Sequence, residues 1–531
     1  MRRVPRQAGR GEGLVQRVLE DGLTRGARRC QHEHARKASC NAAMWRKPQT
    51  PAIERWRAFL LLENGSAAFY TRSTFRARRQ SASRCPTAGN HEDEARMATI
   101  ANSTKTVKPE RALNRRAVVA AVIGNALEWY DFTVFSFMVV VIAELFFPTS
   151  SEYSSLLLTT ATFGVAFFMR PIGGIVLGLY ADRAGRKAAL SLVILLMTAG
   201  IFLLAVAPPY AAIGIGGPLL IVFGRLLQGF SAGGEFGSAT ALLIEAAPFS
   251  KRGFYGSWQM SSQAAALLIG ALVGAAVTRG LSHDALRAWG WRVPFIIGLV
   301  IGPIGFYIRR HLADSEAFLH AQQSARRATL GDVFAHHSRE VLCGLGSVIA
   351  LTVTIYVLIS YLPTFAVKQL KLSYAESFYA VIVGNLLLTV LSPIAGAWSD
   401  RIGRKGLSLW SLVLTFVLMY PLFAWLDAAP SIGRLIAVQA LLSVTLAGYY
   451  GPFGAMIAEL FPANVRSTGL SIAYNVAVML FGGFGQFIVT WLIKVTGTPL
   501  APTYYVMAGL ALSIVAVAFV PARSADLDAQ G

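Results

Sequence analysis

Twelve runs of apolar residues, each long enough to cross a bilayer, dominate this 531-residue chain. A membrane-spanning helix needs roughly 20 such residues. The runs lie at 117–146, 154–181, 188–208, 218–246, 254–278, 293–309, 341–365, 374–399, 406–426, 432–459, 468–493 and 502–521. Lipid offers no hydrogen-bond partner to a peptide group, so a chain that crosses it this often must do so as helices. Composition agrees: 54% of the residues are hydrophobic and 15% charged, and the mean hydropathy is +0.50. A soluble domain carries about 25% charge. A soluble or secreted enzyme is excluded. The expectation is an all-α membrane protein of twelve transmembrane helices, in two six-helix bundles.

Residues 1–96 differ from the rest. They hold 20 basic and 9 acidic residues and no apolar run longer than Ala58–Leu62. Such a stretch buries too little apolar surface to offset its ordering entropy, and it lacks a signal-peptide core. The expectation is a disordered Arg-rich extension, with Met97 as the true start of the chain. Scattered arginines with few aromatics argue against a nucleic-acid arm, and Cys30, His32, His34 and Cys40 lack a standard zinc spacing. The remaining organisation is a first bundle over 97–309, a polar central loop over 310–340 and a second bundle over 341–531. Basic residues near span ends mark the cytoplasmic side. With the leader inside, the inner loops collect Arg183, Arg186, Lys187, Lys251, Arg252, Arg401, Arg404, Lys405 and Arg466, and the basic central loop joins them. Both termini are then cytoplasmic.

The two halves repeat each other. Gly178-x-x-x-Asp182-Arg183-x-Gly185-Arg186-Lys187 follows the second span. Gly396-x-x-x-Asp400-Arg401-x-Gly403-Arg404-Lys405 follows the eighth, 218 residues later. Glu245-x-x-Pro248-x-x-x-Arg252 returns as Glu459-x-x-Pro462-x-x-x-Arg466, 214 residues later. Two motifs at nearly one offset indicate internal duplication. In the loop motif the glycine permits close helix approach, and the aspartate can accept from a helix N-terminus or a basic residue. Such a cluster can latch two halves in one state and release them in another, so Gly178, Asp182, Arg183, Arg186, Gly396, Asp400, Arg401 and Arg404 are candidate gating residues. A purely topogenic role for the loop is the alternative.

That loop motif resembles the one between spans two and three of the major facilitator superfamily. Other segments resemble its metabolite:proton symporter branch. They are Gly124-Asn125-Ala126-Leu127-Glu128-Trp129-Tyr130-Asp131-Phe132, Arg170-Pro171-Ile172-Gly173-Gly174, Gly224-Arg225-Leu226-Leu227-Gln228-Gly229-Phe230-Ser231-Ala232-Gly233-Gly234-Glu235 and Gly290-Trp291-Arg292-Val293-Pro294-Phe295. The resemblance covers about residues 110–522. It implies alternating access and uptake of a small metabolite with protons, in a bacterial inner membrane, with the proton gradient as driving force and no cofactor or metal. Met169–Gly173, Gly229–Gly233, Gly253–Gln259 and Phe481–Gly483 are most similar to the citrate-type carriers, and the implied substrate is a di- or tricarboxylate such as citrate or 2-oxoglutarate. The branch also contains proline and betaine carriers, whose long coiled-coil tails this chain lacks.

Ionisable groups at membrane depth cost about 2.5–3.5 kcal/mol on insertion scales and mark function by default. Glu128 sits roughly 18 Å into the first span at 1.5 Å per residue, with Asp131 one turn on and Asn125 one turn back. This spacing places the three near one helix face. Burial and a neighbouring like charge both favour the protonated form of a carboxyl, so Glu128, Asp131 and Glu235 are candidates for proton coupling. Arg170 and Arg225 stay charged and grip carboxylates with two prongs, so either suits an anionic substrate; the alternative is a standing ion pair with one of the carboxylates. Arg225, Gln228, Ala232 and Glu235 fall on one stripe of the fourth span. Asn125, Gln228, Trp258, Gln259, Tyr356 and Tyr449 are further candidate substrate contacts. Ser262, Gln263, Tyr361, Asn385, Tyr450, Asn475 and Gln486 are softer ones, since polar groups in membrane helices often bond only to a neighbouring helix.

Competing functions lack their residues. A membrane enzyme would need a nucleophile–base pair or metal ligands in the spans, but the histidines after Met97 (283, 311, 320, 336 and 337) all fall in loops. ATP-driven transport would need G-x-x-x-x-G-K-[ST], which is missing. A non-transporting nutrient sensor would have no use for mid-membrane carboxylates. The expectation is a monomeric symporter that works on a small organic acid and protons in the lipid bilayer, without nucleic acid.

Overall fold

Within each apolar run the backbone closes its hydrogen bonds as helix, and the interruptions fall where glycine or polar side chains offer it another arrangement. The computed structural model describes residues 115–184, 186–299, 333, 336–462 and 465–521, with the backbone alone for 115–117, 120, 178, 179, 181–184, 186–190, 234 and 235. The extension 1–96, most of the 310–340 loop and the side chains of Gly178, Asp182, Arg183, Arg186 and Glu235 lie outside the described set.

Among the described residues there are helices and no strand. Eight helices are long and apolar enough to cross a membrane, or nine when one bent pair counts as a single span. That pair is the first span, which runs as Arg115–Phe137, bends by 58° and continues as Val139–Phe146. The second is Glu152–Ala184, the third Arg186–Val206 and the fifth Arg252–Gly280. The sixth starts after the turn Gly290–Arg292 and is described to Leu299. In the second half the eighth to tenth spans are Tyr374–Ile402, Arg404–Ala428 and Ile432–Ala458, and the twelfth is Ala501–Phe519.

Among the described residues four spans are interrupted. The first breaks at Met138. The fourth divides into Gly216–Ser231 and Glu235–Glu245 around the tight turn Ala232–Gly234, where two glycines lower the cost of leaving the helix. The seventh passes from Ser338–Val353 into a widened π-helical stretch, Thr354–Ser360, before Leu362–Lys368. The eleventh does the same at Val478–Gly483, between Arg466–Ala477 and Gly485–Thr496. Such wide turns inside helices cluster at functional sites.

Glycine seams set the helix spacing. A Cβ on Gly173 would strike the Phe230 carbonyl, one on Gly229 the Ala166 carbonyl and one on Gly233 the Arg170 carbonyl. The second and fourth spans therefore meet backbone to backbone. Across the halves, a Cβ on Gly396 would lie 2.6 Å from the Gly253 carbonyl oxygen, so the loop-motif glycine does serve close approach, here of the eighth span to the fifth. Large apolar side chains such as Phe168, Leu195, Phe223, Trp410 and Phe519 point outward and are more than half exposed. An apolar surface of this extent suits lipid rather than water.

Candidate substrate and proton site

The buried charges gather where the first, second and fourth spans face the seventh and eleventh. Glu128 and Arg170 are buried and form an ion pair at 3.6 Å. The guanidinium of Arg170 lies over the rings of Phe132 and Phe167, 4.6 and 5.0 Å from their centroids. It also shares a side-chain hydrogen bond with Tyr474 of the eleventh span. The Tyr356 ring, from the π-helical stretch of the seventh span, packs on Trp129, Phe163 and Phe167. Its hydroxyl is buried and has no hydrogen-bond partner among the described residues.

Arg225 is fully buried. Its guanidinium donates to Gln228 Oε1 at 3.0 Å and to the Phe163 carbonyl at 3.2 Å, and its Nε finds no partner among the described residues. The rings of Phe135, Phe163 and Phe132 surround it at 4.7, 4.9 and 5.3 Å. Each such contact contributes about 0.5–2 kcal/mol, which helps hold a cation in a dry place but does not neutralise it. Glu128, Arg170 and Arg225 together carry a formal +1. Protonation of Glu128 raises this to +2. A cluster of this charge attracts an anion.

The first span does not present Asn125, Glu128 and Asp131 to one partner. Each three-residue step turns the helix by −60°, so the trio fans over about 120°. Asn125 donates to Ser262 Oγ at 2.7 Å and to the Gln259 carbonyl at 3.1 Å, and Gln259 Nε2 returns a bond to Asn125 Oδ1 at 2.8 Å. These residues staple the first span to the fifth. Asp131 points to the sixth span, where a Cβ on Gly298 would lie 2.7 Å from its Oδ1. That buried oxygen has no hydrogen-bond partner among the described residues.

Two further candidates fall away from the cluster. Trp258 is 36% exposed and packs edge-on against Phe254, because it sits a 100° turn away from the buried Gln259. Tyr449 is buried but its hydroxyl bonds to the Ser347 carbonyl within the second half. The stripe Arg225, Gln228, Ala232, Glu235 is cut by the turn at Ala232–Gly234. Among the softer candidates, Asn475 donates to the Gly233 carbonyl at 2.6 Å and Gln486 to Ser136 Oγ at 2.6 Å, so both join the halves. Tyr361 bonds Thr490 and Tyr450 bonds Thr354, both inside the second half. Gln263 and Asn385 are buried, Asn385 bonding back to the Val381 carbonyl.

At one rim of the interface between the halves lies the described copy of the loop motif. Asp400 accepts from the free N–H groups of Gly253 at 2.7 Å and Phe254 at 3.0 Å, at the N-terminus of the fifth span. Arg404 reaches both Asp400, at 3.1 Å, and Glu459. Arg401 is exposed. The Glu-Pro-Arg repeats pair crosswise: Glu459 with Arg252 at 3.8 Å, and Glu245 with Arg466 at 3.3 Å. At the opposite face Lys368 meets Glu152, and Arg279 donates to Tyr379 at 2.7 Å. Both rims of the interface between halves are tied.

Comparison with known proteins fits this arrangement. The family model described as "Sugar (and other) transporter" matches residues 117–331 and 319–525. The chain belongs to that family, within the major facilitator superfamily. It is 38% identical to the citrate-proton symporter of Salmonella typhi over 418 residues, covering 79% of this chain and 96% of the relative. It is 32% identical to the proline/betaine transporter of Escherichia coli strain K12 over 404 residues, covering 74% and 80%. The solved proton:xylose symporter bound to 6-bromo-6-deoxy-D-glucose shares the fold, with a TM-score of 0.64 at 19% identity over 79% of this chain and 99% of that one. The protein is a multi-pass membrane transporter and not an enzyme.

Proposed function

We propose that the chain is a proton-coupled symporter that takes up a small organic acid, most simply a di- or tricarboxylate such as citrate or 2-oxoglutarate, by alternating access. The observation that carries this reading is Arg225: a guanidinium sealed among three phenylalanines, with only neutral acceptors among the described residues. A carboxylate arriving from solution supplies the missing countercharge. The relatives named for citrate and proton at 38% identity support the same reading. Arg170 is the second anchor, and Glu128 releases it on protonation. Asp131, apart from the arginines, is the carboxyl best placed to carry a proton independently of substrate. Asp400, Arg404 and, by the internal repeat, Asp182 and Arg186 bias the inward and outward states.

The same proposal has twelve spans in two six-helix bundles joined by the 310–340 loop, both termini cytoplasmic, and a monomer in the bacterial inner membrane. The test is uptake of labelled citrate, 2-oxoglutarate, succinate, proline and betaine in a transport-deficient host, at outside pH 5.5–8. Accumulation of a di- or tricarboxylate that rises as pH falls and collapses with a protonophore is the expected result. A second reading has one observation in its favour. The aromatic walls from Trp129, Phe132, Phe167 and Tyr356 suit a quaternary ammonium. Uptake of betaine alone would establish that osmolyte reading instead.

A further inference from the structure

Tyr474 stands where the candidate site and the contact between halves coincide. It is buried, and its ring stacks on Phe236 of the fourth span with centroids 3.6 Å apart and planes 6° from parallel. The hydroxyl is bonded to the Arg170 guanidinium. The next residue, Asn475, donates to the Gly233 carbonyl at 2.6 Å. Gly233 lies in the turn that interrupts the fourth span and packs directly on the Arg170 carbonyl. One turn of the eleventh span thus holds the second and fourth spans at the level where Glu128 holds Arg170. No other residue described here joins the substrate-binding arginine to the opposite half by its side chain and grips the backbone beside it through its neighbour.

The chemistry of the guanidinium gives this contact a condition. Arg170 donates in a fixed planar fork whose buried Nε has no partner among the described residues, so a carboxylate that takes the two-pronged Nε edge competes for the plane that Glu128 and Tyr474 now set. We propose that Tyr474 is a positioning residue that ties closure of the two halves to what Arg170 holds. With Glu128 as the partner, the guanidinium is set at an angle that also meets the Tyr474 oxygen, and the halves stay joined. A substrate carboxylate that takes the fork turns the guanidinium, releases the Tyr474 hydroxyl and loosens the stack on Phe236. Tyr356, with its unpartnered hydroxyl in the same cluster, is the other phenol near the path. The inference rests on the symport reading in one respect only, that the substrate carries a carboxylate to Arg170. Citrate, 2-oxoglutarate and betaine all satisfy it.

The test uses the full chain in lipid nanodiscs, with native cysteines changed to serine and spin labels on Ile213 and Lys371, exposed positions in opposite halves. Distance distributions are recorded without substrate and with saturating citrate, and citrate binding is measured by calorimetry. Tyr474→Phe keeps the ring and removes the hydroxyl. The expected result is a broadened resting distribution and loss of the citrate-dependent shift, with citrate affinity within about threefold of wild type. Tyr505→Phe, which removes a hydroxyl bonded to the Phe481 carbonyl at 2.6 Å, is the control and leaves both readouts as in wild type. A resting distribution in Tyr474→Phe that matches wild type overturns the proposal, as does an equal effect of Tyr505→Phe. If the wild type binds none of citrate, 2-oxoglutarate and betaine, the substrate reading fails by itself, and the resting distributions still decide the role of Tyr474.

Discussion

Arg466 of the second half pairs with Glu245 of the first at 3.3 Å, and the repeat of this motif pairs the other way, Arg252 with Glu459 at 3.8 Å. Duplication has produced two identical sticky ends, and each half carries the complement of the other. Arg466 also donates its Nε to the Ala458 carbonyl at 2.9 Å, which fixes the guanidinium at the C-terminal end of the tenth span. An arginine this buried that loses its carboxylate costs about 3–5 kcal/mol. The pair is therefore a strong tie between the halves.

Arg466→Glu should abolish transport, and the swap Arg466→Glu with Glu245→Arg should restore a measurable part of it, roughly a tenth of the wild-type rate or more. Initial uptake rates at matched surface expression decide the matter. A swap as dead as the single change would show that the tie depends on more than its charge.

Asp131→Asn should remove the dependence of uptake on outside pH. On the proposed symport, wild-type uptake rises as pH falls, because the coupling carboxyl is protonated from outside. The amide is permanently neutral, so its uptake should be flat between pH 5.5 and 8 and should no longer run uphill, while exchange of labelled for unlabelled substrate continues. Accumulation ratios measured with and without a protonophore provide the check.

Arg225→Lys keeps the charge but loses the flat face that rests against Phe132, Phe135 and Phe163 and the pair of donors. Affinity for a carboxylate substrate should fall at least tenfold, which is about 1.4 kcal/mol. Gln228→Ala should do less, since it removes a neutral partner. Binding titrations of both variants would separate these effects.

Asp400→Ala leaves the N–H groups of Gly253 and Phe254 without an acceptor and Arg404 with one carboxylate instead of two. Turnover should fall about five- to tenfold, with apparent affinity changed by less than twofold, because the aspartate sits at one rim of the interface between halves rather than among the substrate candidates. Saturation curves for uptake separate the two parameters.

Much of the architecture was legible in the chain. Apolar run length located the helices, because lipid leaves the backbone no alternative. The repeated motifs located one rim of the contact between halves, and Glu128, Arg170 and Arg225 stood out as charges in apolar surroundings. Three things were not legible. The breaks at Met138, Ala232–Gly234, Thr354 and Val478 depend on tertiary contacts that outweigh local preference. The divergence of Asn125, Glu128 and Asp131 to three partners depends on which helices surround the first span, which helical spacing does not encode. Tyr474 and the phenylalanines around the arginines were missed because an aromatic residue in an apolar span has no signature of its own. The one available hint was its position beside Asn475.

The glycine contacts between the second and fourth spans have a consequence for what the carrier accepts. Gly173, Gly229 and Gly233 leave no space for a methyl group, so the two helices share one rigid backbone and carry Arg170 and Arg225 as the fixed jaws of a caliper. The gap between the jaws is set by backbone contact and not by side-chain choice. On the proposed function, a substrate is thus gauged by the distance between its acidic ends before its charge is weighed, and even alanine at any of the three glycines would reset the gauge.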